Sequence, residues 1–205
     1  MKKNICWGLF VLSMALYTDY FYFKSLNPFI SMISANIALF LMIFLVHNFF
    51  YPKNITDHAQ VISYPPMIML FSANLSISLA YVLGYRIEAL ASGHGGLFFM
   101  LLSIIIISLA IKQFTNIEED PNPTTSSKSI IAVGIYNWTR NPMYLGLIFF
   151  QFGLGLVLKF EIISAFSLLT FIIFNYFVVK REEEYLEKKF GDSYLVYKKK
   201  VRRWF

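Results

Sequence analysis

Cys6 is the sole cysteine in 205 residues. One chain can therefore form no internal disulfide and no thiolate metal centre. Charge is scarce as well. Asp, Glu, Lys and Arg make up 15% of the residues, against about a quarter in an ordinary soluble domain. Histidine is rarer still: His47, His58 and His94 stand far apart, with no carboxylate ligand at helical spacing. That pattern argues against a metal site. The first segment does not read as a cleavable leader. Lys2-Lys3 precede an apolar run, but Tyr17-Thr18-Asp19-Tyr20 offers no small-residue cleavage site.

Apolar side chains fill the space that charge leaves. They account for 57% of the chain, and the mean hydropathy is +0.57. A spanning helix needs roughly 20 apolar residues. Six stretches approach that length: about 4–23, 28–51, 61–85, 95–114, 142–158 and 161–179. The expected fold is all-α, a polytopic transmembrane helical protein of about six spans. Five is the alternative, if the first two stretches form one span and a re-entrant piece. The last two stretches are joined only by Lys159-Phe160-Glu161 and predict a tight helical hairpin.

Basic residues orient the chain. With six spans and the N-terminus inside, 15 of the 18 Lys and Arg residues fall on the cytosolic side; Lys24, Arg86 and Lys159 do not. Both termini, the 115–141 loop and the tail then share that face, in the cytoplasmic membrane if the source is bacterial. The net charge of +6 is read as orientation and attraction to membrane lipids, with no nucleic-acid role.

Residues 1–58 are expected to be an appended helical pair, and 59–205 the functional core. Pro65-Pro66 suits the first turn of a helix, and Gly93-His94-Gly95-Gly96 predicts a turn. In the tail, Gly191 should stop one helix and Asp192 or Ser193 cap the next. Tyr194, Tyr197, Val201 and Trp204 recur on one face of that amphipathic segment. It is either a helix resting on anionic lipid, the floor of a cytosolic pocket, or both.

Two polar constellations interrupt the apolar pattern. Asn141-Pro142 predicts a helix start, with Asn as N-cap and Pro in the first turn. Arg140 then sits beside a helix N-terminus, flanked by Tyr136, Trp138 and Tyr144. About forty residues on, Glu182-Glu183-Glu184 leave the membrane at the same face, because an antiparallel hairpin returns the chain there. Singly, such residues are most simply a snorkelling arginine with an aromatic belt, and a solvated helix start. Jointly, they suit a ligand carrying both cationic and anionic parts.

These residues carry a resemblance. Gly134-x-Tyr136-x-x-x-Arg140-Asn141-Pro142-x-Tyr144-x-Gly146, with Glu182-Glu183-x-x-Leu186-x-x-x-Phe190-Gly191-x-x-Tyr194-x-x-Tyr197-x-x-x-Val201-x-Arg203, is similar to the isoprenylcysteine carboxyl methyltransferase family and its phospholipid methyltransferase relatives. The resemblance covers about residues 60–205. It implies a membrane enzyme that binds S-adenosylmethionine in a cytosolic pocket, its lipophilic acceptor entering from the bilayer. By position it implies that Lys128, Ser129, Ile130 and Ile131 line the cofactor, and that Tyr136, Asn141, Pro142, Met143, Tyr144 and Glu182 contact it. Two positions depart from the pattern: Asn141 replaces the usual His, and Val178 stands where eukaryotic members carry an arginine.

A carboxylate acceptor is ionised already and needs alignment and a dry site. Arg140 is then the candidate to hold it. An amine acceptor must lose a proton, and Glu183 is the candidate base. Carboxyl O-methylation is the expected reaction, with phospholipid amine N-methylation as one alternative. A non-catalytic lipid-binding or scaffold protein on the same fold is the other. A transporter is disfavoured, since no span carries a mid-membrane ionisable residue.

Overall fold

The computed structural model describes residues 28–50, 65–83, 94–118 and 126–205, together with Leu12 and Ala15. The expected span over 4–23 therefore lies almost wholly outside the described residues. The architecture is all-helical. Its helices are α1 (Pro28–Phe50), α2 (Pro65–Val82), α3 (His94–Asn116), α4 (Pro142–Val157), α5 (Glu161–Ile173), α6 (Lys180–Phe190) and α7 (Asp192–Lys200), with a 3-10 turn at Gly134–Asn137. Among the described residues, the sole extended pairing is a parallel bridge between Thr139 and Arg202.

Helix α4 lies between α3 and α5, α2 packs on α5, and α1 packs on α2. Among the described residues, two helices are long and apolar enough to cross a membrane: Gly95–Asn116, and the continuous rod Glu161–Phe190 formed by α5, a π turn and α6. The outward side of α3 bears Leu97, Phe98, Leu101, Ile104 and Ile105, each more than half exposed. Water would not tolerate an apolar face of that extent on a monomer, but hydrocarbon solvates it without cost.

Close helix approach depends on small residues here. A Cβ on Gly96 would lie 2.6 Å from the Gly153 carbonyl oxygen, and one on Gly153 would lie 2.7 Å from that of Gly96. The expected Gly93–Gly96 turn is thus corrected in part: His94, Gly95 and Gly96 form the first turn of α3, and Gly93 lies outside the described residues. Gly96 is used for backbone contact rather than for a bend. Between α2, α4 and α5, the Thr170 hydroxyl donates to Gln151 Oε1 at 2.6 Å and lies 2.8 Å from Ser72 Oγ, while Gln151 Nε2 donates to Ser72 at 3.2 Å. All three are buried, so polar groups that lipid could not satisfy satisfy one another.

The α4–α5 connection is as tight as expected: Lys159 takes a φ of +51°, and Phe160 N donates to the Gly155 oxygen at 2.7 Å. The rod does not end at 179. A π turn over Phe174–Val179 joins α5 directly to α6, and such turns occur often at functional sites. Eight of the eleven residues of α6 are charged. We therefore take the apolar stretch 161–179 as the part that hydrocarbon can hold, with α6 projecting beyond it.

Candidate functional site

Helix α4 begins at Pro142, whose missing N–H is harmless in a first turn. Asn141 occupies the N-cap position, but its amide does not cap. It donates instead to the Arg203 carbonyl oxygen at 3.1 Å. The Thr139 hydroxyl donates to the same oxygen at 3.0 Å, and Arg140 N donates to the Arg202 oxygen at 3.0 Å. The tail is thereby stitched along the segment leading into α4.

The Arg140 side chain completes the stitch. Its Nη1 donates to the carbonyls of Lys198 and Val201 at 2.8 and 2.7 Å. Its Nε and Nη2 donate to Glu183 Oε1 at 3.1 and 2.8 Å. Arg203 binds Glu183 from the other side, with Nη2 2.6 Å from Oε2, and its Nη1 donates to Asn175 Oδ1 at 3.1 Å. Asn175 also accepts from the Trp204 indole at 3.0 Å. Glu183 is 3% exposed. Burial alone would raise its pKa, but hydrogen bonds and charge from Arg203 and Arg140 outweigh that and hold it below the usual carboxylate range. Arg140 and Glu183, the candidate catalytic groups, are therefore engaged by each other and by the tail.

Glu182 has a different environment. It is half-buried and accepts a hydrogen bond from the Tyr144 hydroxyl. Burial pushes its pKa up to about 7; the Tyr144 bond opposes the rise, and the neighbouring Glu183 charge adds to it. The Tyr144 ring packs 5.4 Å from Phe174. Tyr136 is buried close enough to feel the Glu182 charge: burial first, then that charge, keeps its phenol protonated. Its carbonyl accepts from the Tyr197 hydroxyl at 2.7 Å. Glu182, Tyr144 and Tyr136, which the family resemblance places against the cofactor, thus belong to one neighbourhood.

The 128–131 strip runs beside α6 and α7. Ile130, like Leu186 and Phe190, packs against the Tyr194–Tyr197–Val201 cluster, and Ser127 N donates to the Tyr185 hydroxyl at 3.2 Å. Lys128 reaches the Glu118 carbonyl at 2.9 Å. Ser129 is exposed, whereas Ile131 and Met143 are half-buried and Pro142 is buried. Two tail expectations are corrected. Gly191, at φ +55°, does stop α6, but it also holds the N-cap position of α7; Asp192 falls in the first turn, where the helix dipole favours its charge. Trp204 leaves the Tyr194–Tyr197–Val201 face, because α7 ends at Lys200 and Val201 is extended. Its ring lies 5.0 Å from that of Phe171. Asn175 was not anticipated; a lone amide at the end of an apolar run was the available signal.

Fold and site together define a helical membrane protein whose charged end is assembled from α4, α6 and an extended tail. Residues 92–193 match the family described as phospholipid methyltransferase. An uncharacterized protein of Haemophilus influenzae is 42% identical over 62 residues, which is 30% of this chain and 98% of that one. Protein-S-isoprenylcysteine O-methyltransferase of Saccharomyces cerevisiae is 29% identical over 140 residues, 66% of this chain and 53% of the yeast protein. The Xenopus laevis protein of that name is 31% identical over 81 residues, 39% of this chain and 28% of its own length. The chain thus matches about half the length of the yeast relative. No solved structure matches it. The chain belongs to the phospholipid methyltransferase family, whose methyltransferases take the methyl group from S-adenosylmethionine.

Proposed function

We propose that this chain is an integral membrane methyltransferase that methylates a lipophilic acceptor at a carboxylate oxygen. The observation that carries the reading is the Glu182–Tyr144 pair beside Tyr136. A carboxylate poised near neutrality among aromatic rings fits a sulfonium: the cation favours the ionised acid and lies well on tyrosine faces. S-adenosylmethionine supplies, when bound, an electrophilic methyl group on that sulfonium. Glu182, Tyr144 and Tyr136 would hold the cationic end. Lys128, Ser129, Ile130, Ile131, Asn141, Pro142 and Met143 are assigned to the remainder of the cofactor.

Carboxylate rather than amine is favoured by Glu183. Its oxygens face two guanidinium groups, so it is a poor proton acceptor. Glu182 becomes a weaker base once a cation lies against it. A carboxylate acceptor needs neither. We read Arg140 and Glu183 as positioning residues that hold the tail over the site and keep water out.

The membrane topology we propose has about six spans, with residues 1–58 as an accessory pair and 59–205 as the core. Both termini and the amphipathic C-terminal cap lie in the cytosol, in the cytoplasmic membrane of a bacterial source. The acceptor reaches the site from the bilayer. Calorimetric titration of the protein in detergent tests the cofactor assignment. Binding of S-adenosylmethionine and its demethylated product is expected, weakened in Glu182→Gln and Tyr144→Phe. Absence of binding in the wild type would sink it. Incubation of membranes with labelled methyl donor then tests the acceptor, since the labelled product should be an ester that base hydrolysis releases as methanol.

A further inference from the structure

A concave surface of about 920 Å³ opens between α3, the 134–139 segment and the end of the tail. Tyr144, Glu182 and Glu183 do not line it, so it is separate from the cofactor assignment. Its lining combines two chemistries. Leu109, Leu145, Trp138, Trp204 and Phe205 are apolar or aromatic, while Lys200 and Arg202 are cationic. Among the described residues, no Asp or Glu lines the cleft. Trp138 is 82% exposed and Phe205 70%, an arrangement that water disfavours and a membrane interface rewards.

The two cations also differ from Lys198 and Arg203. Arg203 binds Glu183, and Lys198 binds Glu187 with a longer contact to Glu183. Among the described residues, neither Lys200 nor Arg202 has an ion-pair partner, and both are exposed. The cleft borders Leu109 on α3, the helix whose outer face is apolar and exposed. A molecule in the surrounding lipid can therefore reach it sideways.

We propose that this cleft holds an anionic phospholipid of the bilayer, its acyl chains along Leu109 and the indoles, its phosphate on Lys200 and Arg202. Charge complementarity selects the anionic head, and continuity with the α3 face selects a membrane lipid over a soluble ligand. The site bears on the stitch described above. Arg202 presents its carbonyl to Arg140 N, and the same residue is exposed and lines the cleft. A bound lipid thus steadies the bridge between Thr139 and Arg202, and anionic membranes favour the docked tail.

The test uses the full chain in mixed micelles, titrated with dibrominated phosphatidylglycerol or dibrominated phosphatidylcholine while tryptophan fluorescence is recorded. The expected result is quenching by the anionic lipid at roughly tenfold lower mole fraction, from two cations acting together. Trp138→Phe should remove a large share of the quenched signal. Lys200→Gln with Arg202→Gln should erase the preference, and Lys199→Gln, a tail cation that does not line the cleft, should keep it. Equal curves for the two lipids in wild type overturn the proposal. So does a preference that survives the double substitution, or one lost equally in Lys199→Gln. Because the readout involves no methyl transfer, it stands or falls apart from the enzymatic reading.

Discussion

Arg140 and Glu183 meet at 2.8 Å, one from the entrance of α4 and the other from α6, and both side chains are almost wholly removed from solvent. A buried pair of this kind adds little net stability against an apolar alternative. Its value lies in what the arginine does with its remaining donors, which hold two carbonyls of the tail. The pair is a fastener between α4, α6 and residues 198–203.

Removing one partner should therefore cost more than forming the pair gains. Glu183→Ala would leave the buried Arg140 guanidinium without its carboxylate, a loss of about 3–5 kcal/mol. Thermal unfolding in detergent should register it, and limited proteolysis should cut the tail first. Glu183→Gln keeps hydrogen bonding and should lose less. If that variant instead kept wild-type stability and lost all methyl transfer, Glu183 would be a base and not a fastener.

Much of this was legible, and for a clear reason. Hydrocarbon imposes length and polarity limits, so the expected stretches 28–51, 61–85 and 142–158 correspond closely to Pro28–Phe50, Pro65–Val82 and Pro142–Val157. What composition concealed was continuity and pairing. Polarity changes abruptly at Lys180, which suggested an ending, yet Lys, Glu and Leu are good helix formers and the rod runs on to Phe190. Glu182 and Glu183 look alike in sequence; only packing reveals that one faces tyrosine and the other two arginines. Gly96 read as a turn because glycine permits turns, while its use here is the absence of a side chain.

Glu182 gives a pH signature with a definite sign. Its folded pKa, about 7, lies above the ordinary value of 4.5, so between those values the folded protein binds more protons than the unfolded one. Its contribution is fully present at low pH and declines as pH rises through that window. Ligand binding should run the other way: a sulfonium prefers the ionised acid, so affinity for S-adenosylmethionine rises toward pH 7 and then levels off. The demethylated product, which lacks the sulfonium charge, should depend on pH less. Titrations at several pH values compare the two, and identical profiles, or an unchanged slope in Glu182→Gln, would separate Glu182 from the cationic centre.

Gly96→Ala should force α3 and α4 apart, since the new Cβ would lie 2.6 Å from backbone atoms of both Gly153 and Val157, which cannot turn aside as a side chain can. A loss of about 1–3 kcal/mol is expected, as for overpacking elsewhere. Gly95→Ala is the internal control, because nothing lies within 4 Å of a Cβ there. The two melting temperatures in one detergent decide the matter, and equal values would remove the close-approach account.

The Ser72–Gln151–Thr170 cluster offers the subtler test. Polar contacts between membrane helices average only about 0.6 kcal/mol in coupling, because the separated helices find other partners. Gln151→Leu should accordingly be milder than its full burial suggests, leaving Thr170 and Ser72 to each other at 2.8 Å. Thr170→Val removes the two shorter contacts of the triangle, at 2.6 and 2.8 Å, and should cost more than Ser72→Ala, which removes those at 2.8 and 3.2 Å. A double-mutant cycle between positions 151 and 170 should return a coupling near that average. A value several times larger would mean that the cluster, and not apolar packing, sets the α4–α5 register. Zero coupling would mean that its hydrogen bonds contribute nothing to how the helices associate.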